Sequence, residues 1–254
     1  MRVERRSPWL LAFNAGGPAT RRLFCFPFAG GGASAFRGLA QAVPAGTEIC
    51  SVQLPGREDR YSESALTSIP MLVSALLPAL RPHFNLPFSF FGHSMGALVA
   101  FELAREMRRH PNTPQPEHLF VSGRRAPHLP GRRRAIYALP SAEFWNEITG
   151  LQGTPAEVLA ERDLMDLVEP ILRADFQATE TYRCREEAPL ATPITAFGGA
   201  QDPETTLGEL EGWREHTRQF GGVRFFPGHH FYLQSQWVAL GDAITTAPLA
   251  GADG

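Results

Sequence analysis

Gly92-His93-Ser94-Met95-Gly96 reads G-x-S-x-G, directly after the apolar run 88–91 and directly before a helical stretch that opens at Met95. A serine placed there sits on a sharp, strained turn, and the flanking glycines remove side chains where strand and helix backbones come close. Its hydroxyl projects outward, above a helix N-terminus whose N–H groups and partial positive charge favour negative charge on a nearby oxygen. The arrangement suits nucleophilic attack, but a serine hydroxyl is a weak nucleophile at neutral pH and needs a base. His230 follows the run 223–226 and the Pro227-Gly228 turn, on a loop at the C-terminal end of a strand. Asp202 follows the run 194–197 and Gly198-Gly199 in the same way. In that pairing Asp202 orients the imidazole and stabilises its charged form, while His230 takes the serine proton and later returns one to a leaving group. His229 and Glu204 are the neighbouring alternatives for base and acid, and His230 and Asp202 are preferred.

A second signal is the glycine-rich turn Cys25-Phe26-Pro27-Phe28-Ala29-Gly30-Gly31-Gly32. It lacks G-x-G-x-x-G and no Walker lysine follows, so phosphate cradling is not expected. Beside a serine nucleophile such a turn supplies an oxyanion donor, here the Phe28 N–H opposite the Met95 N–H. Each donor of this kind is worth about 3 kcal/mol of barrier. Asp202 before Pro203 also suits backbone capping in a turn. His93 is expected to pack at the elbow, and His83, His110, His118, His128 and His216 fall in loops or solvated helical stretches with no assigned role. Cys25 reads as a small buried apolar residue.

These residues need a frame that holds strand ends together. Runs rich in Phe, Val, Ile and Cys at 23–26, 48–53, 88–91, 119–122, 194–197 and 223–226 read as strands. Helical patterns at 33–43, 66–80, 95–109 and 232–244 lie between or after them. This alternation predicts a mostly parallel sheet flanked by helices, in a single α/β domain spanning 1–254. From 127 to 191 it stops: helical patterns at 141–148 and 163–182 flank a glycine-rich break at 150–153, and Pro170 is expected to kink the longer pattern or begin a second helix. Helices inserted there would sit over the C-terminal edge of the sheet, so 127–191 reads as a helical lid subdomain.

Composition narrows the function further. With 24 Lys and Arg against 26 Asp and Glu, the net charge is −2, which offers no global attraction for nucleic acid or an anionic membrane. No apolar run reaches the ~18 residues of a spanning helix. The opening MRVERRSPWLLAFN is broken by Pro8 and Asn14 and has no clear cleavage site, so it is not read as a leader. Cys25, Cys50 and Cys184 are an odd number without C-x-x-C spacing, arguing against a disulfide framework or a zinc site. A soluble, cytoplasmic protein is expected, with no metal.

The chain resembles a type II thioesterase, the free-standing editing enzyme of polyketide and nonribosomal peptide synthesis, within the α/β-hydrolase superfamily. The resemblance rests on CFPFAGGGASAF at 25–36, QLPGREDR at 53–60, FFGHSMGALVAFELA at 90–104, FVSGRRAP at 120–127, GGAQDP at 198–203 and FPGHHFYL at 226–233. The order Ser94, Asp202, His230 is also the chain order of α/β-hydrolase triads. The family pattern has glycine where His229 stands, a departure that bears on the local loop. The resemblance implies hydrolysis of acyl groups from the phosphopantetheine arm of acyl or peptidyl carrier proteins, clearing stalled or misprimed chains. It implies no cofactor of the enzyme's own, a lid over an acyl chamber, and a carrier domain as partner. Arg124, Arg125 and the run Arg132, Arg133, Arg134 are candidates for docking that carrier or the arm's phosphate, against the plainer reading of a solvated loop. Phe144, Trp145, Phe176 and Tyr182 are candidates for the acyl pocket or for packing, and Arg57 belongs to the family pattern with no readable role. The start at Met1 with no preceding carrier domain points away from a terminal, cyclising thioesterase. The alternative is a carboxylesterase or lipase acting on oxygen esters through the same three residues.

Overall fold

The computed structural model describes residues 1–14, 17–151, 153–154 and 156–247. Residue 152 of the expected glycine-rich break and the end of the 1–254 span, residues 248–254, lie outside the described residues. Among the described residues eight strands form one sheet: β1 (Arg2–Ser7), β2 (Leu10–Asn14), β3 (Arg21–Phe26), β4 (Thr47–Val52), β5 (Phe88–His93), β6 (Leu119–Ser122), β7 (Ile194–Gly199) and β8 (Phe220–Phe226). Their spatial order is β1-β2-β4-β3-β5-β6-β7-β8. All neighbours from β4 to β8 run parallel, and β1 and β2 are added antiparallel at one edge.

The six runs read as strands are β3 to β8. Successive residues of β3 serve opposite faces: Phe24 and Phe26 join the core beneath α1 (Ile69–Leu80) and α2 (Met95–Arg108), whereas Leu23 and Cys25 join the core beneath α7 (Trp237–Thr245). Burial on both faces is why β3 to β7 read as apolar runs; β8, at the far edge, reads as one through Val223, Phe225 and Phe226 although only Phe226 is buried. β1 and β2 were not foreseen. β1 carries Arg2, Glu4, Arg5 and Arg6 and is mostly exposed, so it has no hydrophobic pattern to read, and charge is what keeps an open edge from pairing further.

The segment 33–43 departs from the expected helix. It forms two short 3-10 turns, Ala33–Phe36 and Leu39–Gln41, with Gly38 between them. A Cβ on Gly38 would lie 2.2 Å from Trp237 Nε1, so close packing on α7 sets this backbone rather than helix propensity. The pattern at 232–244 likewise divides into a turn, Tyr232–Gln234, and α7.

Between β6 and β7 lie α3 (Ser141–Gly150), α4 (Ala156–Ala160) and α5 (Arg162–Glu180). α5 runs as one helix through Pro170, so the second helix expected there does not form. Buried Leu172, Ala174, Asp175 and Ala178 hold the turns beyond the proline in register. α3 and α5 share a small core of Ile136, Phe144, Trp145, Ile148 and Leu172, separate from the two cores of the sheet. α6 (Leu207–Glu211), capped by Thr206 and Glu209, follows β7. Among the described residues no helix is long and apolar enough to cross a membrane.

Candidate active site

Ser94 sits between β5 and α2 with φ 53° and ψ −113°, in a region that side chains rarely occupy. Its surroundings leave no alternative. A Cβ on Gly92 would lie 2.2 Å from Gly96 O, and a Cβ on Gly96 would lie 2.0 Å from Phe26 O. The two glycines of the pentapeptide therefore let β5, α2 and the end of β3 meet, and the strain falls on the serine between them. The Ser94 N–H donates to Ser122 O at 2.8 Å, fixing the turn to the end of β6. The Ser94 hydroxyl makes no hydrogen bond with the described residues and faces a cavity.

His230 and Asp202 meet from neighbouring strand ends. His230 Nδ1 donates to Asp202 Oδ2 at 2.8 Å. The same carboxylate accepts from the Glu204 N–H at 2.8 Å and from Thr205 Oγ1 at 3.2 Å, so the turn-capping role foreseen for Asp202 coexists with its contact to the imidazole. The two loops are stitched together by the Gln201 N–H to Gly228 O, 3.0 Å, and by the Gly228 N–H to Gln201 Oε1, 2.6 Å. Of the alternatives, His229 is exposed and contacts Gln201 O, while Glu204 lies against Arg133. The glycine missing from the family pattern leaves no strain, because Gly228 takes the left-handed position with φ 120° and His229 does not need it.

His93 packs behind the pair. Its ring lies 5.0 Å from that of His230, and its Nδ1 is 2.8 Å from Ser122 Oγ, which in turn contacts Tyr232 Oη at 2.7 Å. Burial, aided by His230, holds the His93 pKa well below the usual imidazole range, so His93 stays neutral. Gly123 is needed beside it: with φ 58°, its Cβ would come within 2.6 Å of the His93 ring. Neither Gly123 nor Tyr232 was singled out from sequence; a lone glycine after a strand is too common a signal. His118 corrects the expectation of a solvated position, for it is fully buried, stacked on Phe120 and 2.8 Å from Thr195 Oγ1. Burial raises the Cys25 thiol well above its usual range, in keeping with an inert core residue.

Phe28 and Met95 both line the cavity. Met95 is the first helical residue, so its N–H has no intrahelical acceptor. Phe28 is held by the Gly31 N–H donating back to its carbonyl at 2.9 Å.

The opposite wall comes from the helices after β6. The cavity has a volume of about 980 Å³ and is bordered by Ser94, Phe28 and His230 on one side and by Ile148, Leu167, Ile171 and Phe176 on the other. Phe144 and Trp145 are not on it; they fill the core between α3 and α5, and Tyr182 donates to Glu102 on α2 at 2.6 Å. One buried ion pair joins the walls. Asp175 on α5 takes both Arg57 terminal nitrogens, at 2.6 and 2.9 Å, and also the Gly30 N–H at 2.7 Å. Arg57 donates further to Gly31 O at 3.2 Å. The arginine with no readable role thus ties α5 to the turn that carries the Phe28 amide. Its partner was missed because Asp175 lies on an amphipathic helix like any solvated carboxylate.

The basic positions prove unequal. Arg132 pairs with Glu209, Arg133 with Glu204 at 2.7 Å and Arg134 with Glu143 at 3.4 Å, all within the chain. Arg125 donates to Pro130 O at 3.0 Å. Arg124 borders the cavity. Among the described residues no group of three or more His, Cys, Asp or Glu side chains is placed to hold a metal ion.

A mostly parallel sheet with a serine on a strained turn after its central strand, and a histidine–carboxylate pair on the last two strand ends, is an α/β-hydrolase fold. Residues 21–247 match the thioesterase domain family, and the chain belongs to it. It is 44% identical over 231 residues to the gramicidin S biosynthesis protein GrsT of Aneurinibacillus migulanus, covering 91% of this chain and 90% of that protein. It is 40% identical over 238 residues to thioesterase PikA5 of Streptomyces venezuelae, covering 93% and 84%. The solved structure of the type II thioesterase BorB from the borrelidin biosynthetic cluster matches with a TM-score of 0.86 at 35% identity, over 95% of this chain and 98% of that one. The resemblance read from the motifs is therefore met, and the chain is a thioester hydrolase.

Proposed function

We propose that this chain hydrolyses acyl groups from the phosphopantetheine arm of acyl or peptidyl carrier proteins, acting as an editing enzyme of polyketide or nonribosomal peptide synthesis, with Ser94, His230 and Asp202 as its catalytic residues. The observation that carries this reading is the convergence of the strained Ser94 and the His230–Asp202 pair, with Phe28 and Met95 beside them, on a cavity large enough for an acyl chain. This chain's likeness to a gramicidin S biosynthesis protein, to thioesterase PikA5 and to the type II thioesterase of the borrelidin biosynthetic cluster supports this substrate class.

In this mechanism Ser94 Oγ attacks the thioester carbonyl as His230 takes its proton. The carbonyl oxygen gains charge between the Phe28 and Met95 N–H groups, which serve as its donors. The carbon–sulfur bond then breaks, and the thiol leaves with the proton from His230, giving an acyl ester on Ser94. Water loses a proton to His230 and attacks the ester, the free acid departs, and Ser94 regains its proton. Asp202 keeps the imidazole turned toward the serine and offsets its transient charge. No cofactor enters any step. The helices α3 to α5 serve as the lid, within the 127–191 insertion of a single domain, and the acyl chain lies against their apolar side.

The test is hydrolysis of acyl carrier proteins, acyl thioesters of the free arm, and oxygen esters of matched length, for the parent and Ser94→Ala. Ser94-dependent release that is faster from carriers than from free thioesters is expected. Faster cleavage of oxygen esters than of every thioester would favour the esterase alternative, and turnover unchanged in Ser94→Ala would overturn the mechanism.

A further inference from the structure

Arg124 stands two residues past the end of β6, next to Gly123, whose Cβ would come within 3.2 Å of His230 Cε1. This turn is packed directly against the imidazole. The Arg124 side chain borders the same cavity as Ser94, Thr205 and His230. Its Nε is buried without a hydrogen-bond partner, and its guanidinium makes no ion pair among the described residues. That is unusual for arginine, whose planar fork of donors is ordinarily matched when it leaves water.

Glu204 and Glu180 favour its charge from a distance, but neither makes a hydrogen bond or ion pair with it. Arg125, its neighbour, is of like charge and is turned to Pro130 O. Glu204 lies 2.7 Å from Arg133 in ion-pair contact. Glu180 accepts the backbone N–H groups of Ile136 at 2.9 Å and Tyr137 at 3.1 Å. Tyr182 gives its hydroxyl hydrogen to Glu102. Burial draws the Arg124 pKa down to about 10, which still leaves it charged at neutral pH. A half-buried guanidinium whose Nε has left water without a hydrogen bond is costly to the folded protein, and an oxyanion of the ligand would supply the missing charge-assisted bond.

Resting on the thioesterase reading above, we propose that Arg124 binds a negatively charged oxygen group of the substrate, either a carboxylate at the far end of the acyl chain or the phosphate of the pantetheine arm. The first source makes Arg124 a selector for dicarboxylic acyl groups over neutral ones. The second makes it an anchor for every carrier-borne substrate, whatever the acyl group.

Two pairs of small substrates separate these sources. Malonyl and butyryl thioesters of N-acetylcysteamine differ in acyl charge and carry no phosphate. Butyryl-phosphopantetheine and butyryl-pantetheine differ in the phosphate alone. In each pair the ratio of kcat/KM for the charged over the neutral substrate is compared among the parent, Arg124→Lys and Arg124→Gln. One ratio is expected to fall by about tenfold or more in Arg124→Gln, the loss of one charge-assisted pairing, and to be partly kept in Arg124→Lys. A fall in the malonyl ratio assigns the acyl carboxylate, and a fall in the phosphopantetheine ratio assigns the arm. Should both ratios match the parent within about twofold, a difference too small for one ion pair, the proposal is overturned. The parent alone gives a reading that does not depend on a variant folding: no preference for either anion also overturns it. Turnover of butyryl-pantetheine by the parent separately tests the thioesterase reading, so the two can fail independently.

Discussion

On the sheet side of the cavity, Ser94 and His230 sit on tightly packed turns and Met95 opens α2, whereas the opposite wall of α3, α4 and α5 is a helical layer with its own small core. A Cβ on Gly92, Gly96 or Gly199 would lie 2.2, 2.0 or 2.3 Å from another backbone atom. Across the cavity Leu167 is 60% exposed, and a Cβ on Gly150 would meet nothing within 4 Å. The difference follows from what each wall must do. Proton transfer and attack lose efficiency when atoms are misplaced by about 1 Å, so the reacting groups belong on a frame that cannot give. In the proposed function an acyl chain asks only for apolar surface, which the helical layer supplies. The buried Arg57–Asp175 pair is where the two meet.

The sharpest break in this comparison is on the sheet side. Ser94→Ala is expected to lower kcat by about 10⁶-fold and Asp202→Asn by about 10⁴-fold, as in other serine triads, with the unfolding midpoint nearly unchanged. Thiol release assays and thermal unfolding read the two quantities separately. Next in size is the joint between the walls. Arg57→Met leaves the Asp175 carboxylate buried and unpaired, at a cost of about 3–5 kcal/mol in denaturant unfolding. The double change Arg57→Met with Asp175→Leu is expected to be closer to the parent than Arg57→Met alone, and a double variant worse than the single would refute the pairing account.

A pair of glycine substitutions sharpens the contrast. Gly96→Ala is expected to destabilise by about 1–3 kcal/mol through its clash with Phe26 O, while Gly150→Ala, at the end of α3, should be neutral or stabilising by up to about 1 kcal/mol. Equal effects at the two sites would erase the distinction between the walls. The smallest effect is with pH. Burial holds His93 well below its usual pKa, and burial with His128 and Arg105 nearby takes His216 down to about 4. The unfolded chain therefore binds protons near the ordinary histidine pKa that the folded chain refuses, so stability falls as pH is lowered through that value toward about 4. Melting curves across this range should show the slope, and His216→Gln should flatten it.

Much of the sheet was legible because β3 to β7 are buried almost throughout and read as apolar runs, and the edge strand β8 still carries an apolar run though only its Phe226 is buried, but the exposed edge strand β1 has no such pattern. The segment 33–43 is apolar enough for a helix, yet contact with Trp237, some two hundred residues on, sets its turns, and no local propensity reports that contact. Pro170 does not begin a second helix, since packing keeps α5 whole across it. In the site, Ser94, Asp202 and His230 were named from turns after strands. Their convergence was not visible in sequence, and neither were the His93–Ser122–Tyr232 bonds behind them.

What the sequence determined by itself is therefore the local chemistry: a serine where glycines forced a strained turn, and an acid and a base each placed just past a strand, all in short-range patterns of residue type. Only the tertiary structure decided which buried charges are matched. Asp175 meets Arg57 across 118 positions of chain, while Arg124, no different from its neighbours as a letter, is left at the cavity with no ion pair among the described residues and with its Nε unbonded. Pairing of charges depends on distance and burial in space, and one-dimensional spacing carries neither once residues lie on different elements.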